Sequence, residues 1–88
     1  MGGFRLNFSA KAAKDLDELS DDIFHRITEA CKRLERGPVP ESRHVKRLKG
    51  YDGLYRLRAG EYRIIFEWIG QDINIVRILT RQAYGKKY

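Results

Sequence analysis

The chain has 88 residues, 42% of them apolar, with 18 Lys or Arg against 12 Asp or Glu. At that length only about 60–65% of the unfolded chain's surface is buried on folding, so the core is thin, and no run of about 18 apolar residues is present to span a bilayer. One cysteine, Cys31, excludes an internal disulfide and fits a reducing cytoplasm; with His25 and His44 it makes no zinc motif, so no metal or other cofactor is expected.

The opening MGGFRLNF lacks the apolar stretch of a secretory signal, and the whole of 1–88 reads as one domain. Phe4, Leu6 and Phe8 alternate with Arg5 and Asn7, which predicts a short strand. Ser9 is placed to cap a helix from Ala10 to Leu19, with Ala13, Leu16 and Leu19 on its inner side. Ser20 caps again, and Asp21 and Asp22 put negative charge in the first turn of a second helix, where the macrodipole favours it. Ile23, Phe24, Ile27, Ala30, Cys31 and Leu34 recur at helical spacing, and Gly37-Pro38 stops the pattern. Cys31 falls on that apolar stripe and reads as core, whereas His25 reads as surface. The stretch from Gly37 to Gly53 reads as a loop carrying the basic run RHVKRLKG. His44 within it reads as solvated or as an RNA contact.

Strands follow at about Leu54–Ala59, Tyr62–Ile69 and Ile73–Leu79. The order of elements predicts an α+β fold, an antiparallel β-sheet with an N-terminal helical hairpin packed on one face. That hairpin should cover Tyr62, Ile64, Phe66 and Trp68, which makes Trp68 a packing residue. The last strand is apolar on both sides and should be central or covered. With a three-residue loop before it, Arg77 and Arg81 share the face of Arg63; with a two-residue loop they do not. The tail Gly85-Lys86-Lys87-Tyr88 reads as loosely held.

The first two of these strands carry the strongest signal. Gly60-Glu61 suits a two-residue type II′ loop, which pairs Ala59 with Tyr62 and Arg58 with Arg63. Arg56 stands one pleat along on the same face, roughly 7 Å from Arg58. Such a face is ordinarily just solvated, but two like charges directly opposite destabilise a ladder. The pattern therefore favours an anion site for phosphate. Between Arg43 and Arg63 the chain carries five of its six net positive charges, the footprint of a polyanion-binding face.

The run VKRLKGYDGLYRLRAGEYRIIFEWIGQDINIVRILTRQAY resembles the RelE/ParE superfamily of toxin–antitoxin toxins, closest to its RelE-type branch. The pattern is a Leu-Lys-Gly turn, a Tyr-Arg-x-Arg strand, Gly-x-Tyr-Arg opening the next strand, and an Arg-plus-Tyr C-terminus. The resemblance implies a ribosome-dependent mRNA endonuclease, acting by attack of a 2′-hydroxyl on the adjacent phosphate without a metal. Its partners would be an acidic antitoxin, and mRNA and ribosomal RNA in the ribosomal A site. Inhibition of DNA gyrase, as by ParE-type relatives, and a degenerate non-toxic binding module are the alternatives.

By resemblance, Arg56 and Arg58 fall where RelE-type toxins place catalytic basic residues. Arg63 matches the arginine on the scissile phosphate, Arg81 the C-terminal arginine, and Tyr84 or Tyr88 the terminal tyrosine. In the basic run itself, Arg43, Lys46, Arg47 and Lys49 are candidates for contacts to RNA phosphates, the alternative being a merely exposed basic loop. Many relatives read His-Arg-x-x-x-Tyr near the C-terminus; here Thr80-Arg81-Gln82-Ala83-Tyr84 has no histidine and one residue fewer. Several relatives also have lysine where this chain has Arg56 and Arg58, and an arginine does not serve as a proton acceptor. Glu61 and Glu41 are the remaining candidates for a base.

Overall fold

The alternation in the C-terminal half puts one apolar face on each strand, and those faces line up because the strands pair in a single sheet. A computed structural model of the chain describes residues 3–36 and 44–88. Its elements are β1 (Arg5–Phe8), α1 (Ala10–Asp17), α2 (Asp21–Leu34), β2 (Val45–Arg47), β3 (Leu54–Ala59), β4 (Tyr62–Ile69), β5 (Asp72–Thr80) and α3 (Arg81–Lys87). The sheet order is β1-β5-β4-β3-β2. The expected α+β architecture is present, with α1 and α2 over one face of the sheet. One pairing departs from an all-antiparallel sheet: β1 lies parallel to β5 at the edge. A parallel pair needs a long crossover, and here nearly the whole chain intervenes.

Both helix starts follow the serines. The Ser9 hydroxyl accepts the Ala12 N–H at 3.0 Å, and Ser20 accepts that of Ile23 at 3.5 Å. Two inner-face assignments are corrected. Ala12 is buried and Ala13 exposed, because Ala12 and Leu16, four residues apart, share the face that meets the sheet. Helix α1 also ends at Asp17, so Leu19 packs from the turn. Phe24 is 37% exposed although it lies only about 20° round the helix from Cys31, because it stands about two turns nearer the helix start, at the edge of the stripe through Ile23, Ile27, Ala30, Cys31 and Leu34. Cys31 is buried in the core as expected, and that burial pushes its thiol up to about 12. The predicted stop at Gly37-Pro38 lies outside the described residues.

Under the helices sits the main core: Val45, Leu57, Ile64, Phe66, Ile73, Ile75 and Ile78 from the sheet, against Ala12, Ile27, Ala30, Cys31 and Leu34. Tyr62 and Trp68 pack against it as expected, and Tyr55 stacks on Phe66 with ring centroids 5.5 Å apart. Strand β5 is internal, between β1 and β4. Its two apolar sides have a local cause. The β4–β5 loop is two residues long, Gly70-Gln71, with Gly70 at φ +57°. Ile65 pairs with Arg77 but Phe66 pairs with Ile75, so Val76 is an extra residue, a β-bulge. Side chains before the bulge (Ile73, Ile75) and after it (Ile78) thus reach the same core, while Val76 and Leu79 reach the other face.

Two elements were not foreseen. Strand β2 forms inside the predicted loop, and α3 makes the expected loose tail an ordered helix, capped where the Thr80 hydroxyl accepts the Ala83 N–H at 3.1 Å. Among the described residues no helix is long and apolar enough to cross a membrane.

Helix α1 is pinned to β5 by Asp15. Its carboxylate accepts two bonds from Arg77, at 2.9 and 3.2 Å, and the Ile78 N–H at 2.9 Å, a donor past the end of β1 on the open edge of β5. Burial alone would raise the Asp15 pKa, but hydrogen bonds from Arg77 and Ile78 and the guanidinium charge outweigh it and hold the carboxyl below its usual range. The hydrogen bonds to Asp15, and then its charge, raise the Arg77 pKa against burial. A carboxyl depressed in the folded state contributes stability above its unfolded pKa of about 4, and loses it as pH falls through the folded value. Asp15→Asn should therefore unfold more easily at pH 7 by about 1.5–3 kcal/mol, the worth of hydrogen bonds to a charged group. The deficit should shrink as the parent is acidified below about pH 4. Urea unfolding of both proteins from pH 7 to pH 2.5 checks this, and a deficit independent of pH would assign the loss to packing.

Candidate functional site

On the face of the sheet away from α1 and α2, the β3–β4 register brings arginines together. The loop is Gly60-Glu61, with Gly60 at φ +60°, and it pairs Ala59 with Tyr62 and Arg58 with Arg63. Arg56 pairs with Ile65 on the same face. Arg63 is the half-buried centre of the group. Its Nη1 donates to the carbonyls of Gly60 at 2.9 Å and Tyr62 at 3.0 Å, which holds the side chain against its own turn. Burial, then the charges of Arg56, Arg58 and Arg81, lower its pKa, with Glu61 opposing them. Four guanidiniums therefore share one field.

Arg81 comes to this group through the backbone. Its N–H donates to the Glu61 carbonyl at 2.8 Å, so α3 begins on the hairpin loop. Tyr84 on α3 and Tyr88 at its C-cap, four residues apart, then turn the same way onto Leu48, Ile65 and Leu79. Their rings stack at 5.8 Å, and Tyr51 meets Tyr88 edge-on at 5.3 Å. Sequence reasoning left Tyr84 and Tyr88 as alternatives, and the structure brings them together. It missed Tyr51, 40% exposed in the β2–β3 turn, whose only sequence signal is its place after the Leu-Lys-Gly turn.

The basic run before β3 is divided. Lys46 pairs with Arg56 and so stands on the arginine face, whereas Arg47 pairs with Tyr55 on the opposite one. Lys49 is exposed in the following turn. An open depression of about 800 Å³ is lined by Lys46, Arg47, Leu48, Lys49, Gly50, Tyr51 and Asp52. Arg43 and Glu41 lie outside the described residues. The His44 carbonyl accepts the Arg56 guanidinium at 3.2 Å and the Arg58 N–H at 2.8 Å, so that residue acts here through its backbone.

The bulge settles Arg77. A two-residue loop alone would turn it away from Arg63, but the extra Val76 restores it to that face, where Asp15 holds it. A separate cleft of about 570 Å³, lined by Ile23, Arg26, Ile27, Arg33, Ala59 and Tyr62 among others, opens between α2 and the hairpin on the helix-covered side, away from the arginines. Among the described residues no three His, Cys, Asp or Glu side chains are grouped to hold a metal ion. The arginine face can clamp a phosphate through several charge-assisted bonds and stabilise charge developing on it.

Comparison with known proteins agrees with this architecture. Residues 6–83 match the family described as ParE toxin of type II toxin–antitoxin system, parDE. A candidate RelE-type toxin of Methanocaldococcus jannaschii, RelE1, is 31% identical over 86 residues, 96% of each chain. The archaeal RelE–RelB complex from Pyrococcus horikoshii OT3 contains a chain 31% identical with a TM-score of 0.74, covering 90% of this chain and 96% of that one. The RelB–RelE antitoxin–toxin complex from Methanococcus jannaschii gives 28% identity and a TM-score of 0.73, with 93% and 98% covered.

The Arg58–Arg63 pair should carry a measurable cost. Arg58→Thr removes one exposed charge while keeping a residue suited to a strand, and it should stabilise the fold by about 0.2–1 kcal/mol. Thermal unfolding at low salt should show the gain, and at about 1 M salt screening should shrink it. A variant less stable than the parent at both salt concentrations would make Arg58 a structural residue.

Proposed function

This chain belongs to the ParE toxin family of type II toxin–antitoxin systems, and from that membership and its arginine face we propose that it is a toxin that cleaves mRNA on the ribosome. The observation that carries the proposal is the convergence of Arg56, Arg58, Arg63 and Arg81 around one point of the sheet. The 2′-hydroxyl of the substrate attacks the adjacent phosphorus, leaving a 2′,3′-cyclic phosphate and a 5′-hydroxyl. Charge stabilisation is the largest contribution such a site makes, and it comes here from Arg63 and Arg81. Arg63 is already tied to its turn by two backbone carbonyls, so little reorganisation is needed when the phosphate arrives. Arg56 and Arg58 hold the RNA backbone and favour ionisation of the nucleophile. Tyr84 and Tyr88 offer a stacked aromatic surface for a flanking base. Lys49, with Arg43, contributes contacts to RNA phosphates.

The natural partner is an acidic antitoxin that covers the basic face, in keeping with the RelB antitoxins of the solved relatives. Contacts spread over such a surface should survive loss of one arginine. Co-expressed with the product of a neighbouring acidic reading frame, both the parent and Arg63→Ala should copurify with it at moderate salt. Loss of the partner from the variant alone would concentrate the interface at the site.

Arg63→Ala and Arg81→Ala should each lower kcat and kcat/KM together by about 10²–10³. Lys49→Ala should instead weaken association and flatten its salt dependence, with turnover of bound RNA nearly unchanged. Single-turnover cleavage of ribosome-bound mRNA across a salt series measures both. Gyrase inhibition is the second reading, favoured by the ParE description of the family. DNA breaks on induction with intact mRNA would replace the first reading with it.

A further inference from the structure

The four arginines leave one part of the reaction unassigned. When the bond from phosphorus to the 5′-oxygen breaks, its electron pair stays on that oxygen, which must take up a proton. A guanidinium gives up a proton about a thousandfold less readily than a lysine ammonium. Strand β2 supplies the missing group.

We propose that Lys46 is the catalytic acid of this site, delivering its proton to the leaving 5′-oxygen; the proposal rests on the RNA-cleavage reading above. Lys46 stands directly opposite Arg56, on the face that carries Arg58 and Arg63. That orientation is fixed from both sides. The adjacent Val45 is 5% exposed in the core beneath α2, which sends Lys46 to the other face. The strand itself is held by the bond from Arg58 N–H to the His44 carbonyl at 2.8 Å, and from Leu48 N–H to the Leu54 carbonyl at 2.9 Å. Lys46 therefore projects from a hydrogen-bonded strand, whereas Lys49 sits in a turn.

Its position suits the displacement. The entering and leaving oxygens of an in-line reaction lie on opposite sides of the phosphorus. Lys46 on β2 and Arg63 on β4 flank β3, so the ammonium approaches a phosphate clamped by Arg63 from the β2 side, across Arg56 and Arg58, while Arg81 approaches it from the hairpin loop. The 2′-oxygen forms its bond to phosphorus and loses its proton to water. The 5′-oxygen departs with its electron pair and receives the Lys46 proton, and the neutral amine is reprotonated by solvent. Tyr84 and Tyr88 are the other groups able to donate, but their rings are stacked on each other over Leu48, Ile65 and Leu79.

A substrate with sulfur in place of the scissile 5′-oxygen isolates this step, because a thiolate leaves without being protonated. Lys46→Arg keeps the charge but not the readily lost proton, and Lys46→Ala removes both. Both variants should cut ordinary ribosome-bound RNA about 10²–10³-fold more slowly than the parent, and the 5′-thio RNA within about threefold of it. Lys46→Arg acting at the parental rate on ordinary RNA would overturn the proposal and leave Lys46 a charge contact. So would a deficit equally large on both substrates, or a 5′-thio rescue shown by Tyr84→Phe or Tyr88→Phe and not by the lysine variants. If the parent cuts neither RNA, the cleavage reading fails and the role of Lys46 falls with it; a parent that cuts both leaves the variants to decide Lys46 alone.

Discussion

A two-residue loop fixes the pairing of its strands until a bulge intervenes, and β3–β4 pairs without one, so Gly60-Glu61 decides which side chains of β3 and β4 share a face. Slipping that register by one residue would send Leu57, Ile64 and Phe66 to solvent and the arginines into the core beneath α2. Burying an unpaired cation costs several kcal/mol, far more than any rearrangement of surface contacts could return. The same constraint thus builds the core and concentrates the charge. Gly60 makes it possible, because its φ of +60° lies in the region that side chains with a Cβ rarely adopt.

The fold tolerates this concentration because the two faces differ in magnitude. A cross-strand pair of like charges costs tenths of a kcal/mol to about 1, reduced by exposure and salt. Each fully buried Ile or Phe side chain on the other face contributes roughly 1.5–3 kcal/mol. With Ile64, Phe66, Ile73 and Ile75 all at 0% exposure, apolar burial outweighs the repulsion comfortably. Arg63 adds its own compensation by donating to two carbonyls of the turn. Arg77 shows the other outcome open to an arginine on this face: given Asp15, it becomes part of the scaffold.

Much of this was legible in the residues because it depends on local chemistry. Ser9 and Ser20 cap helices where they stand, and a Gly-Glu pair between alternating strands dictates the Arg58–Arg63 pairing. What escaped depends on distant partners. Three residues are too few to show alternation, so β2 becomes visible only where Val45 finds the core. Gly85 and two lysines weaken the local case for α3, yet Tyr84 and Tyr88 at helical spacing carry it once Leu48 and Ile65 are there to receive them. The bulge at Val76 left a trace, a strand apolar on both sides, but nothing local says where the extra residue falls. The parallel pairing of β1 joins residues 67 positions apart, such as Arg5 and Asp72, and no window of sequence contains it.

The site is consequently assembled from segments that have little reason to meet except in the finished fold. Arg56, Arg58 and Arg63 belong to one hairpin, but Arg81 joins them only because α3 starts on the Glu61 carbonyl, and Lys46 only because β2 extends the sheet beyond β3. Each addition increases the repulsion at one point of the surface. A phosphate chain entering there replaces mutual repulsion with charge-assisted bonds, so its binding free energy includes relief of strain already present in the free protein. Anything that binds only the folded state stabilises it by mass action, and the relief adds to the affinity. An acidic protein segment would gain from the same relief. Two polyanions offered to this face would therefore compete through its charge alone, whether or not their footprints coincide residue by residue.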